Sequence, residues 1–514
     1  MFNKVASLGG FFAQKTDHPL ANARELHRVI TDLPRDNAFK ALDEISGWLE
    51  SLESDSNFPA VTLYEILERF EGAARPNLKR LSREYFGAAQ LSKPEENRLW
   101  SINHGFWTRL AFAYERCLSS VGDKNRPGDL PKSALPDLCV RLMVALGRVL
   151  KWQQFHYGPT PEYFWQRLGR ALLAAEDAGV AGKAVTLPGK SGMTTPQQEY
   201  EKCMIFQAAS LDSLMPAGVE LAEQIIDHFL PGFVFSAGAQ IDSVYWVDLN
   251  QDQSPQRLAI MPERAAPTQR FLKPGQAHEA MMAVQETLER GGELPPEVNL
   301  GGQYPASLLV AVFRHLTCYL SPVPPQRAHD RHRVATRMSV LSGLASAFAV
   351  FSDESGAVPA GLSTESWVAE NVSRGGFGAL LERASGEWLK VGALVVMQPE
   401  GGENWLTGVV RRFHRISGKE TRVGIQALAT RAVSVQLRAS AASGYAAAVG
   451  KSALLLLDGN EPDEFRVILP PMSFDPRESM EYVAGGQRYL LTPVSLIERG
   501  AEFELVRYRR NTFR

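Results

Sequence analysis

Along the first third of the chain, apolar residues recur at three- and four-residue steps. Phe39, Leu42, Ile45, Trp48, Leu49 and Leu52 form one stripe behind Asp36, and Leu63, Ile66, Leu67 and Phe70 form another. That period belongs to helices that bury one face, and Asp36 is the expected N-cap of the first stripe. Thr160-Pro161 is expected to open a later helix and Gly179 to end it. Phe106, Trp107, Leu110, Phe112 and Tyr114 read as helix–helix core. The segment shows no fixed repeat period.

Gly182, Gly189 and Gly192, with Pro188 and Pro196, interrupt the helical pattern. A long helix is expected from Gln197 to Leu230. Alternation over Val244–Leu249 predicts a strand, Asn250–Pro255 a turn, and Arg257–Met261 the other half of a hairpin. Helical spacing returns at Gly275–Arg290 and Pro305–Leu320. After Pro322, Pro324 and Pro325 the pattern changes to short strands broken by Gly, Pro and Asp. These are Leu394–Met397, Leu406–Phe413, Val423–Ala427, Val433–Leu437, Ala453–Leu457, Phe465–Leu469, Gln487–Leu491 and Phe503–Tyr508. The expected fold class is multidomain α+β. It comprises an all-α domain over 1–185, a mixed α/β domain over 196–321, an antiparallel β-barrel over 325–437 and a second small barrel-like β domain over 438–514.

Composition narrows the function classes. The 514 residues carry 55 Lys+Arg against 57 Asp+Glu, a net charge of −2 at pH 7. No general field draws nucleic acid or an anionic membrane, so an anion site has to be local. No apolar run is long enough to span a bilayer, and Met1-Phe2-Asn3-Lys4 does not open an apolar secretory signal. The four cysteines (Cys117, Cys139, Cys203, Cys318) are far apart and read as reduced buried thiols rather than a disulfide or zinc framework. A cytoplasmic location is the expectation. The chain contains no G-x-S-x-G, H-E-x-x-H or G-x-G-x-x-G. Pro188-Gly189-Lys190-Ser191 lacks the earlier glycine and the flanking strand and helix of a phosphate loop. No metal cluster, cofactor motif or defensible acid/base pair stands out, so an enzyme is not expected.

Two local patterns carry candidate chemistry. Arg327-Ala328-His329-Asp330-Arg331-His332-Arg333, followed by Arg337, places arginines densely behind the proline-rich boundary. Guanidinium groups bind phosphate in a bidentate way and stack on flat rings. Taken alone, the segment also reads as a solvated basic linker. The second pattern is Asn371-Val372-Ser373-Arg374-Gly375-Gly376. An amide, a hydroxyl and a glycine at these offsets form a polar turn that a ligand approaches closely. His329 and His332 flank the arginines and read as lining the same site or facing solvent.

Together the arginine segment, the Asn-x-Ser-x-x-Gly turn and the strands after it resemble a PilZ domain. The resemblance continues in Gly392-Ala393-Leu394-Val395-Val396, Leu406-Thr407-Gly408-Val409-Val410-Arg411-Arg412 and Val423-Gly424-Ile425-Gln426. It covers roughly 325–435, about a fifth of the chain. It implies a six-stranded barrel that binds cyclic di-GMP, with an R-x-x-x-R arm over the nucleotide and the turn holding a guanine. Carried over, Arg327 and Arg331 match the arm, Arg333 assists, and Asn371, Ser373 and Gly376 match the turn. Asn371 stands where the family most often has Asp. Arg331 and Asn371 are 40 positions apart, which calls for a hairpin or loop near Asp353-Glu354-Ser355-Gly356. Arg333-x-x-x-Arg337 repeats the arm spacing. The first register is preferred because Arg337-Met338-Ser339-Val340 reads as the start of the first strand.

The resemblance implies a receptor whose ligand is cyclic di-GMP, with no further cofactor, and which works by ordering the arm and repacking the domains. A protein partner is expected on the helical N-terminal half. The alternatives are a PilZ-like barrel that binds no nucleotide and serves as an adaptor, and an enzymatic helical half regulated by the barrel. Arg507, Arg509, Arg510 and Arg514 read as solvated charge on a last strand.

Overall fold

The computed structural model describes residues 17–55, 58–87, 91–121, 130–189, 192–326, 329–352, 361–382, 388–417, 419–440, 450–458, 463–500 and 502–512. The chain forms two compact units. The first comprises Met1–His156, Thr160–Leu211 and Pro216–Pro325; the second comprises Gln326–Arg514 with the short segments Tyr157–Pro159 and Asp212–Met215. Residues 196–321, read above as a domain of their own, fall in the same unit as the helices before them.

The first unit contains α1 (Ala23–Thr31), α2 (Ala38–Glu53), α3 (Ala60–Gly87), α4 (Lys93–Ser119), α5 (Leu135–Phe155), α6 (Phe164–Asp177), α7 (Pro196–Ala208) and α8 (Pro216–Phe229). Local sequence explains most of the starts. Asn37, one residue after the expected cap, accepts from Lys40 N to open α2. Ser92 and Glu95 form a capping box on α4, and Thr195 with Pro196 opens α7. Phe106, Leu110 and Tyr114 of α4 are fully buried, whereas Phe112 is 45% exposed and does not join the core.

Two helices depart from expectation. The helix after Thr160 begins only at Phe164, because the Asp252 carboxylate accepts from Tyr163 N (2.7 Å) and Trp165 N (3.1 Å) and fixes its start from 87 residues away or more. The stretch expected as one helix to Leu230 breaks at Ser210, where φ is 57°, and restarts at Pro216.

Helix α5 is buried almost all round, including Arg141 and Lys151. Both charges are paired, as burial requires. Arg141 reaches Glu68, Glu71 and Asp137 at 2.6–2.9 Å. Lys151 reaches Glu220 (2.5 Å) and Glu223 (2.6 Å), and Glu223 also accepts from Arg148.

A small sheet of β1 (Val234–Ser236), β2 (Tyr245–Asp248), β3 (Gln256–Arg257) and β4 (Gln269–Lys273) follows, in the order β1-β4-β2-β3. The expected hairpin exists, but its second strand is only Gln256–Arg257. Helices α9 (Gly275–Glu289) and α10 (Ala306–Tyr319) complete the unit. Cys117, Cys139 and Cys203 are buried and their thiols are pushed up to about 12 by desolvation. Cys318 is exposed, against the expectation for all four.

The second unit holds two closed six-stranded barrels. The first is made of β5 (His332–Ser342), β6 (Glu365–Ser373), β7 (Gly376–Leu381), β8 (Leu394–Pro399), β9 (Leu406–Arg415) and β10 (Thr421–Ala429), with α11 (Gly343–Val350) between β5 and β6. The second is made of β11 (Ala432–Ala439), β12 (Lys451–Leu456), β13 (Glu464–Leu469), β14 (Met480–Ala484), β15 (Gln487–Arg499) and β16 (Glu504–Thr512). The strand at Val433–Leu437, assigned above to the first barrel, pairs with β12 and β14 and belongs to the second.

The apolar runs explain how the barrels join. Leu394, Val395, Val396 and Met397 are all buried, without alternation. Val395 and Met397 point into the first barrel, beside Trp367, Val410 and Val423. Leu394 and Val396 point the other way, into a cluster shared with Ala347 and Val350 of α11 and with Leu454, Leu456, Ile468 and Leu505 of the second barrel. A strand buried on both faces reads as a continuous hydrophobic run. Beside this cluster, the Arg411 guanidinium on β9 grips the Glu498 carboxylate on β15 through two hydrogen bonds of 2.6 and 2.5 Å.

Candidate nucleotide site on the first barrel

The strand that carries the arginines starts earlier than expected, at His332 rather than Arg337. Val334, Thr336, Met338 and Val340 alternate with exposed Arg333, Ala335, Arg337 and Ser339, and only the first set turns toward the barrel interior. Arg333 and Arg337, the second possible arm register, therefore lie on the outer face of β5. Arg327 lies outside the described residues. Arg331 immediately precedes the strand and is exposed. The long spacing to Asn371 is filled in part by α11; the stretch 353–356, where a hairpin or loop was expected, lies outside the described residues.

Pairing of β5 with β6 places His332 opposite Val372 and Arg333 opposite Asn371. The basic segment and the polar turn thus meet at one end of the barrel. They flank a shallow, open cavity of about 470 Å³ lined by His329, Asp330, His332, Val372, Ser373 and Arg374. Arg331 and Arg333 are next to these residues in the chain but are not among the lining ones.

Each motif residue of the turn has a structural task. Gly376 has φ of 154°, and a Cβ there would stand 2.0 Å from the Ile425 carbonyl oxygen on β10. Only glycine lets β7 come this close to β10. The Ser373 hydroxyl donates to the Gly376 carbonyl at 3.3 Å and ties the turn across itself. Asn371 lies over Gly378, where a Cβ would meet its Nδ2 at 2.5 Å. The Asn371 Oδ1 is shielded from solvent and has no hydrogen-bond partner among the described residues. Gly378 was not singled out from sequence, although a second glycine two residues after Gly376 hints at close approach from both sides.

The electrostatics of the wall are mixed. Arg374 and Asp330, neither picked from sequence as site residues, put a cation and an anion on the same cavity. Next to Asn371, Glu370 is paired with Arg422 on β10 at 2.8 Å, and that hydrogen bond raises the Arg422 pKa above its ordinary value. Among the described residues no cluster of His, Cys, Asp and Glu is arranged to hold a metal ion, and no helix is long and apolar enough to cross a membrane.

A closed six-stranded antiparallel barrel, entered through a basic segment and carrying Asn-x-Ser-x-x-Gly between β6 and β7, is a PilZ domain. The model of the middle PilZ domain of the cyclic-di-GMP receptor FimW matches residues 363–433, and that of the FimW N-terminal domain matches residues 24–240. The chain belongs to the family of the cyclic-di-GMP receptor FimW. The PilZ match begins beyond β5 and the basic segment. No curated protein matches the chain.

Proposed function

We propose that this chain is a cytoplasmic receptor for cyclic di-GMP that takes the nucleotide in the cavity between the basic segment and the β6–β7 turn. The observation that carries the reading is the convergence of these two elements on one cavity. Its volume lies within the range of about 300–1,000 Å³ typical of small-molecule sites. Cyclic di-GMP brings two phosphodiester charges and two guanine rings. Arg327, Arg331 and Arg333 supply planar donors for the phosphates and flat faces for the rings. Ser373 lines the cavity, Gly376 holds the turn that carries it, and Asn371 would offer a carbonyl to the guanine edge.

Binding would draw the basic segment down over the nucleotide, a change from a looser to an ordered state. That closure would then alter packing elsewhere in the chain, with the helical part serving a protein partner and no chemical step involved. In this division of labour the first barrel senses, and residues 1–185 and 196–321 respond.

One observation favours the alternative of a non-binding, adaptor-type barrel. Asn371 is packed against Gly378 with its Oδ1 shielded from solvent, so it has to turn before it meets a guanine.

Titration calorimetry of the full chain with cyclic di-GMP, with GTP as control ligand, separates the two. Arg331→Ala removes a charge-assisted contact of about 1.5–3 kcal/mol, so affinity is expected to fall about 10- to 150-fold. A flat trace from correctly folded wild-type protein would leave the adaptor reading in its place.

A further inference from the structure

Two of the side chains lining the cavity are imidazoles, His329 and His332. Neither belongs to the arm or turn signature. His329 is docked on the turn, its Cδ2 lying 3.4 Å from where a Cβ on Gly375 would be. His332 opens β5 opposite Val372, the residue before Ser373. Both are exposed.

The other charges on the wall are Asp330, from the same segment, and Arg374, from the turn. Arg331 and Arg333 flank His332 along the chain. On the strands behind, Glu370 is already engaged by Arg422. Carboxylates and guanidiniums keep their ordinary charge between about pH 6 and pH 8, where imidazole changes its own.

We infer that His329 and His332 contact the ligand's phosphates and take up protons as it binds, so that the site holds a phosphodiester nucleotide more tightly as its surroundings become acidic. This rests on the receptor reading above. An imidazolium attracts the anion and donates from both ring nitrogens, whereas neutral imidazole donates from one. The phosphodiester stays charged throughout, so the ligand favours the protonated ring. Affinity then falls as pH rises, by up to about tenfold per pH unit for each proton taken up.

The test is calorimetric titration of the full chain with cyclic di-GMP at about pH 6, 7 and 8, at constant ionic strength and in two buffers of different ionisation enthalpy. Wild type is compared with His329→Gln, His332→Gln and the double variant, each checked for folding by circular dichroism. Wild-type affinity is expected to fall at least about tenfold from the most acidic to the most basic condition, with net proton uptake in the heats. The double variant is expected to bind more weakly at the acidic end and to lose the slope. Equal wild-type affinity at every pH, or a slope that survives in the double variant, overturns the inference and leaves the receptor reading standing. The wild-type profile decides even where a variant does not fold. Absence of saturable binding at every pH overturns the receptor reading, and this inference with it.

Discussion

Glu201 sits in α7 at 5% exposure, and its Oε1 has no hydrogen-bond partner among the described residues. Desolvation alone raises its pKa from 4.5 to about 7. Because the folded state holds this proton more tightly than the unfolded state, the associated stability is fully present below the unfolded value. It is lost as pH climbs through the folded value, and is flat above it. The shift of 4.5 to about 7, at roughly 1.4 kcal/mol per unit, amounts to about 3 kcal/mol. Glu201→Gln keeps the shape and abolishes the ionisation. The stability of the variant minus that of wild type should therefore grow by about 3 kcal/mol between pH 4.5 and pH 8, with half the change complete by about pH 6. Urea unfolding followed by far-ultraviolet circular dichroism, which reports the helices, measures this difference at each pH. Taking the difference cancels every other titrating group. A variant-minus-wild-type difference that stays constant across the range would refute the argument and mean that Glu201 finds a partner or water when charged.

Three further outcomes follow from packing and charge. Gly376→Ala drives a Cβ to 2.0 Å from the Ile425 oxygen; a loss of about 1–3 kcal/mol or more is expected, and an unchanged thermal midpoint would show that β7 yields freely. Arg411→Ala and Glu498→Ala, combined in a double-mutant cycle, should show a coupling of about 1 kcal/mol, the upper end for a partly exposed bidentate pair; additive effects would mean the clasp between the barrels contributes nothing. Glu223→Ala strips Arg148 and Lys151 of a shared carboxylate at 2.6–2.9 Å, and chemical unfolding should register a loss of about 3–5 kcal/mol. A loss under about 1 kcal/mol would mean that Glu220 suffices to hold Lys151.

Much of the architecture was legible because its causes are local. Proline, glycine and N-cap residues punctuate the helices, and unbroken runs such as Leu394–Met397 announce strands. What escaped depends on distant partners. Nothing near Thr160 says that Asp252 will start α6 at Phe164, and nothing within Ala432–Ala439 says which barrel it will pair with. Among the candidate site residues, Asn371, Ser373 and Gly376 were picked out by spacing, and they fall at the β6–β7 turn. The first strand was placed too late because the arginines at 333 and 337 obscured a plain period-two alternation with Val334, Thr336, Met338 and Val340. The wall residues Asp330 and Arg374 carry no spacing signal, since a cavity is defined by what folds around it.

The close approach of β7 to β10 at Gly376 bears on how such sequences are to be sorted. The glycine is demanded by the Ile425 carbonyl, the serine closes the turn on itself, and the asparagine fills the space above Gly378. All three are constrained in this chain by neighbours within the barrel, before any guest arrives. A barrel that had given up its ligand would still need the glycine. The Asn-x-Ser-x-x-Gly signature therefore answers to packing as well as to any ligand, and by itself it does not separate a receptor from a barrel that binds nothing.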